Sequence, residues 1–120
     1  MMQHGVILFA HGSRDPLWRL PIEAVADAIR ARAADALVRC AYLELCTPDL
    51  FQAATELIAA GARRIRIFPL FLGVGKHIRE DLPVLAAELR TLHPELMIEL
   101  LPTAGVHPGM TALMADIALS

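Results

Sequence analysis

The sequence predicts a small α/β domain, a four-stranded parallel sheet with helices on both faces. Three observations carry that prediction. Short apolar runs of strand length alternate with segments of helical period four times along the chain. The 120 residues suit one core, and therefore a single domain over 1–120. Hydrophobic residues make up 56% and charged residues 20%. That surplus suits a buried parallel sheet, or leaves an apolar face for a partner subunit.

Residues 5–10, GVILFA, form a continuous apolar strand. Over 17–36 the period changes. Ile22, Val25, Ala26, Ile29 and Ala33 recur at helical spacing, with Glu23, Asp27, Arg30 and Arg32 between them. Residues 37–45 return to strand composition. Thr47 then offers a capping hydroxyl ahead of Pro48 at the first helical position. Leu50, Phe51, Ala54, Leu57 and Ile58 stripe a second helix, which Gly61 ends. Residues 64–72 make the third strand, and Pro69 marks its end or a bulge because proline cannot donate to a ladder. After the loop 73–75, Leu82, Leu85, Ala86, Leu89 and Leu92 share one helical face. Pro83 places that helix's start near Glu80 or Asp81, since proline is tolerated in a first turn. Residues 96–101 are the fourth strand. His107 caps, and Pro108 opens, a last helix bearing Met110, Leu113, Met114 and Ile117. Right-handed crossovers follow from this alternation. Analogy with flavodoxin-like sheets gives a strand order of 2-1-3-4.

Composition also excludes classes. The formal net charge is −2, from 11 basic and 13 acidic residues, with none of the basic surplus of a general nucleic-acid binder. Met1-Met2-Gln3-His4 lacks the charged start of a signal peptide. The apolar runs fall far short of the ~20 residues a membrane helix needs. A soluble, cytoplasmic protein is expected, with Cys40 and Cys46 as free, mostly buried thiols.

In open α/β sheets ligands bind beyond the carboxyl ends of the strands. There the sequence places His11, Gly12, Ser13 and Arg14 after strand one, Glu44 after strand two, and 69–77 (PLFLGVGKH) after strand three. The opposite edge receives Gly61, Ala62, His93 and Pro94, ordinary turn residues. His11 and His77 lie far apart in sequence and meet only if strands one and three are neighbours. Two imidazoles in an open cleft form an incomplete shell for a borderline metal, suited to handing it on. Each residue also has a plainer role. A lone His in such a turn commonly caps or hydrogen-bonds, Glu44 can be a solvated carboxylate, and Ser13 is expected to cap the first helix. Arg14, Lys76 and Arg79 are surface charges or partners of an anionic ligand. His4 and His93 are structural or exposed.

At these residues the sequence resembles the small form of the CbiX/SirB-type sirohydrochlorin chelatases. The matching features are HGSRD at 11–15, YLEL at 42–45, PLFLGVGKH at 69–77, DLP at 81–83 and HP at 107–108, in the family's order along the chain. The resemblance implies half of a class II chelatase fold, with the active cleft between the subunits of a homodimer. It implies a metal-inserting lyase, a sirohydrochlorin cobaltochelatase or ferrochelatase, serving cobalamin or sirohaem biosynthesis. His11 and His77 would bind the metal and assist deprotonation. Glu44, judged from its own position, is otherwise a second carboxylate at the site, able to take a pyrrole proton or a metal bond. The metal is substrate (cobalt first, iron or nickel as alternatives), and no organic cofactor is implied. Many relatives carry a GGH-type loop ahead of Asp-Ile-Pro. Lys76 departs from that pattern and leaves metal and tetrapyrrole choice open.

Insertion replaces two pyrrole N–H protons with one divalent cation. It needs a metal ligand, a proton acceptor and a surface that holds the macrocycle. Imidazole serves the first two roles. Ser13, Gly73 and Gly75 would line the substrate, Leu72 and Val74 would face the ring, and Arg14, Lys76 and Arg79 would pair with its carboxylates. Two rivals lack key residues. A histidine phosphatase needs Arg before the His, where Ala10 stands, and a receiver domain needs an acidic cluster that Asp15 alone does not make. A non-catalytic metal or tetrapyrrole delivery protein would use the same residues.

Overall fold

The computed structural model describes residues 4–120, so the reading of Met1-Met2-Gln3 lies outside the described residues. The elements in order are β1 (His4–Ala10), α1 (Leu20–Arg32), β2 (Leu37–Tyr42), α2 (Leu50–Ala59), β3 (Arg64–Pro69), α3 (Lys76–Leu92), β4 (Met97–Leu100), a 3-10 turn (Ala104–Val106) and α4 (Pro108–Leu119). The sheet is parallel throughout, in the order β2-β1-β3-β4, as the sequence predicts.

Alternation along the strands divides the apolar residues between two faces. Ile7, Phe9, Ala41, Ile65, Ile67 and Ile98 point to a large core closed by Leu50, Ala53, Ala54 and Leu57 of α2 and Leu82 and Leu89 of α3. Leu8 and Val38 point to the other face, where Ala26, Ile22 and Ile29 of α1 cover them. That second face is covered over β1 and β2. Over β3 and β4 it shows Arg66, Met97 and Glu99 to solvent.

Several boundaries differ from the sequence reading, each for a local reason. Helix α1 starts at Leu20, not at residue 17, because Pro21 is tolerated only in the first turn. Its N-cap is Arg19, not Ser13. The Ser13 hydroxyl instead accepts the Asp15 N–H at 3.1 Å, and the Asp15 carboxylate accepts the Leu17 N–H at 2.9 Å. Two nested side-chain turns thus carry the chain through 13–17, ahead of the helix. Helix α2 is capped by Asp49 rather than Thr47. The Asp49 carboxylate accepts the Gln52 N–H and the Gln52 side chain accepts the Asp49 N–H, both at 2.8 Å. Helix α3 begins at Lys76, so Pro83 lies within it rather than in its first turn. Pro83 is exposed, so water can satisfy the carbonyl it leaves unbonded. Cys40 and Cys46 are free but only half-buried. Pro69 does end β3, and His107 does cap α4, its Nδ1 accepting the Gly109 N–H at 2.9 Å.

Candidate functional site

Every strand delivers its carboxyl end to one edge of the sheet, and the sequence-predicted residues collect there. His11 is the first residue beyond β1 and is exposed. Its ring lies on Phe71, with centroids 4.4 Å apart and planes tilted by 54°. Phe71 is 2% exposed and meets Phe9 edge-on, 6.2 Å between centroids. The imidazole therefore rests on an aromatic ring that is itself fixed in the main core, which limits its rotamers from one side.

The chain after β2 is laced to the chain after β1. Leu43 N–H donates to Ala10 C=O at 2.9 Å, and Glu44 N–H donates to His11 C=O at 3.0 Å. The pairing thus outlasts β2 by two residues, which accounts for the longer strand read from sequence. Gly12 makes this approach possible. Its φ is +103°, and a Cβ there would collide with the Glu44 carbonyl oxygen. Glu44 itself is exposed. Leu45 beyond it holds φ at 69°, a left-handed conformation uncommon for a bulky residue, and remains 50% exposed.

The third loop carries the second imidazole. Gly75 is the N-cap of α3, without a side-chain capping bond, and Lys76 and His77 are the helix's first residues. Both are exposed, as are Arg14 and Arg79. An uncapped N-terminus with Lys76 and Arg79 on its first turn is an electropositive spot suited to carboxylates. Leu72 is 70% exposed. Val74, expected beside it at the ligand, instead packs half-buried against the main core. Gly73 and Gly75 differ from Gly12. A Cβ on either would meet nothing within 4 Å, so the chain itself does not require glycine there.

Three supporting residues escaped the sequence reading. Phe71 appears there only within the strand and the 69–77 motif, with no role of its own. Gly105 in the 3-10 turn donates its N–H to Phe71 C=O at 2.9 Å, and a Cβ on it would collide with the Leu72 carbonyl. Tyr42 ends β2 beneath Trp18, 6.0 Å between ring centroids, with the Arg19 guanidinium 5.7 Å from its centre. Burial pushes the Tyr42 hydroxyl up to about 12, and burial followed by Glu23 raises the Cys40 thiol. An aromatic ring one or two residues past a strand end is the signal that could have found Phe71. Close backbone approach at Gly105 is legible only in three dimensions.

Among the described residues no three His, Cys, Asp or Glu side chains gather around one metal position. His11, His77 and Glu44 share an edge but do not form a closed cage. Exposed apolar residues stand around them: Leu17 in the first loop, Leu43 and Leu45 in the second, Leu72 in the third and Val106 after β4.

Fold and edge together define a class of protein, a parallel α/β sheet with two imidazoles, basic residues and exposed apolar side chains at its carboxyl edge. The CbiX family model matches residues 5–118, and the chain belongs to that family. It is similar to a sirohydrochlorin cobaltochelatase of Methanothermobacter thermautotrophicus, 37% identical over 79 residues, covering 66% of this chain and 54% of that protein. The chain spans little more than half the length of that curated relative. The crystal structure of the CbiX protein of Marinobacter aquaeolei VT8 superposes with a TM-score of 0.82 at 30% identity, over 97% of this chain and 94% of the other. The sirohydrochlorin chelatase SirB of Bacillus subtilis subspecies spizizenii, solved with cobalt, shares the fold at a TM-score of 0.76 and 23% identity, over 98% of this chain and 52% of that one.

Proposed function

We propose that this chain is a sirohydrochlorin chelatase, a lyase that inserts a divalent cation into the tetrapyrrole as a step of cobalamin or sirohaem synthesis in the cytoplasm. Cobalt is the first choice of metal substrate, with iron and nickel as alternatives. Residues 1–120 act as one domain, and two copies face each other as a homodimer with the macrocycle between them. The observation that carries the reading is an exposed His11 and an exposed His77 at one sheet edge, ringed by exposed apolar side chains. A flat macrocycle with a carboxylate-bearing rim has both chemistries that this edge offers.

In this mechanism His11 and His77 present the incoming cation and accept the pyrrole protons. Two N–H protons leave as one divalent ion enters, so the ring's charge is balanced without an external acid or base other than imidazole and water. Phe71 keeps the His11 ring facing outward. Lys76, Arg79, Arg14 and the free N–H groups of the first turn of α3 bind peripheral carboxylates. Ser13 holds the first loop in its turn. The bare backbone at Gly73 and Gly75 lets the ring approach, with Leu72 against its face. Glu44, exposed at the same edge, is a second carboxylate able to take a pyrrole proton or a metal bond. In the described residues no helix is long and apolar enough to cross a membrane.

The test is the absorbance change of sirohydrochlorin with cobalt. His77→Ala is expected to abolish insertion while the far-ultraviolet circular dichroism is unchanged, and His11→Ala to do much the same. Turnover near wild type in both variants would reject the assignment. Binding of cobalt and tetrapyrrole without acceleration of insertion would make this a delivery protein instead.

A further inference from the structure

An open sheet has two edges, and here they are β2 and β4. In a parallel strand, successive residues turn their N–H and C=O alternately to one side and the other. Leu43 N–H donates to Ala10 C=O, so the odd-numbered residues of β2 serve β1, and Val38, Cys40 and Tyr42 face outward. Met97 N–H donates to Arg63 C=O and Leu101 N–H to Ile67 C=O, so Ile98 and Leu100 face outward from β4. Such a row of unpaired backbone groups is a template for a strand of another chain.

Both edges carry the same device. Arg30, in the last turn of α1, donates through Nη2 to the Val38 carbonyl at 3.0 Å. Arg90, in the last turn of α3, donates through Nη2 and Nε to the Ile98 carbonyl at 2.9 and 3.2 Å. Each arginine stands eight residues before its acceptor, and each acceptor is the second residue of its edge strand. The Arg39 guanidinium adds another bond to the Val38 carbonyl, at 2.9 Å. Helix α2 leads instead into β3, an interior strand with a neighbour on either side. Eight residues before Ile65, the second residue of β3, stands Leu57, fully buried, and the last turn of α2 holds no basic residue. The arginine thus accompanies the open edge rather than the helix-to-strand turn.

Little of either edge remains open. The outward N–H of Tyr42 donates to Pro48 C=O at 2.9 Å, where the loop after β2 doubles back. With the Val38 carbonyl also engaged, Cys40 is the residue of β2 left with both outward groups for a newcomer, and Leu100 is its counterpart in β4. One residue is too short a template, and an incoming edge would meet a guanidinium where it needs a carbonyl. Ion pairing does not account for the placement. Among the described residues Arg39 and Arg90 have no carboxylate partner, and that of Arg30 is the exposed Asp27 at 3.2 Å.

We infer that Arg30 with Arg39 on β2, and Arg90 on β4, close the two edges of the sheet to strand addition by a second copy of this chain. Association between copies is thereby confined to other surfaces. The inference does not depend on the chelatase reading.

The experiment compares the full chain with Arg30→Ala combined with Arg39→Ala, with Arg90→Ala, and with Ile67→Val, which weakens the core of an interior strand. Sedimentation velocity over a range of concentrations reports size, amide I infrared absorption reports intermolecular sheet, and urea unfolding reports stability. Wild type is expected to keep the same largest species at every concentration, without the intermolecular band. Both sets of arginine variants are expected to grow with concentration into larger species that carry it, while Ile67→Val keeps the wild-type size at a comparable urea midpoint. Cys40→Pro added to the β2 variant should suppress the growth, because proline removes the outward N–H at mid-edge and restores no arginine contact. Arginine variants that stay at wild-type size overturn the inference. So does equal growth of Ile67→Val, which would make lost stability the cause, and growth that Cys40→Pro leaves untouched overturns it for β2. Arg90 is exposed, so Arg90→Ala carries the test even where the β2 variants do not fold. The readouts are size and infrared absorption, so the outcome stands apart from the chelatase assignment, which rests on the His77→Ala assay.

Discussion

Two glycines at the same edge should respond to alanine in opposite ways. Gly12 sits at φ +103°, where an L-residue is strained, and its Cβ would overlap the Glu44 carbonyl oxygen and stand 3.3 Å from the Tyr42 Cβ. The backbone conformation costs about 1–2 kcal/mol, and forcing the loops apart costs another ~1–3 kcal/mol. Gly12→Ala should therefore lose about 2–5 kcal/mol, lowering Tm by roughly 8–20 °C in a domain of this size. Gly75 has φ −69°, and nothing lies within 4 Å of its would-be Cβ. At an N-cap, alanine costs about 0.5–2 kcal/mol against a capping side chain and most of that against glycine, which itself gives up only a few tenths. Gly75→Ala should lower Tm by no more than about 7 °C and yet slow cobalt insertion, because the new methyl faces the approaching ring. Thermal unfolding followed by circular dichroism, with the insertion assay on the same samples, measures both. A Gly12→Ala protein as stable as wild type would refute the close-approach argument. A Gly75→Ala protein with unchanged kcat and KM would refute the claim that bare backbone there serves the ligand.

Other outcomes follow from the same geometry. Phe71→Leu removes an aromatic contact on each side of the ring and should cost about 1–3 kcal/mol in urea unfolding, with insertion falling further than stability because His11 loses its support. Asp49→Ala breaks the capping box of α2 and should cost about 0.5–2 kcal/mol without touching insertion, checked by the same pair of assays. Tyr42 supplies a pH signature. Its hydroxyl is raised from 10.0 to about 12 in the folded chain, so the folded state holds this proton more tightly than the unfolded state does. The stabilisation is complete below pH 10 and is lost as pH climbs towards 12. Urea midpoints across that range should fall more steeply for wild type than for Tyr42→Phe.

Much of this molecule is readable from sequence because its signals are periodic. The apolar run at 5–10, the alternation entering β3 and the stripe of α2 name their elements directly, and parallel topology then carries His11, Glu44 and His77 to one edge. What the sequence hides is local competition between short-range options. Ser13 and Asp15 spend their oxygens on turns rather than on a helix cap. Asp49, not Thr47, caps α2 because Gln52 can answer it. Pro83 misplaces the start of α3 because an exposed proline is tolerated within this helix. Val74 reads as a ligand contact until the core claims it. Phe71 and Gly105 support the site through contacts between segments distant in sequence, which no periodicity reports.

Gly105 joins two parts of the molecule usually considered separately. The turn that aims the carboxyl-terminal arm is the same piece that props up the segment leading to His77. Whatever holds that arm therefore also bears on the backbone of Phe71 and Leu72, a few residues ahead of the imidazole.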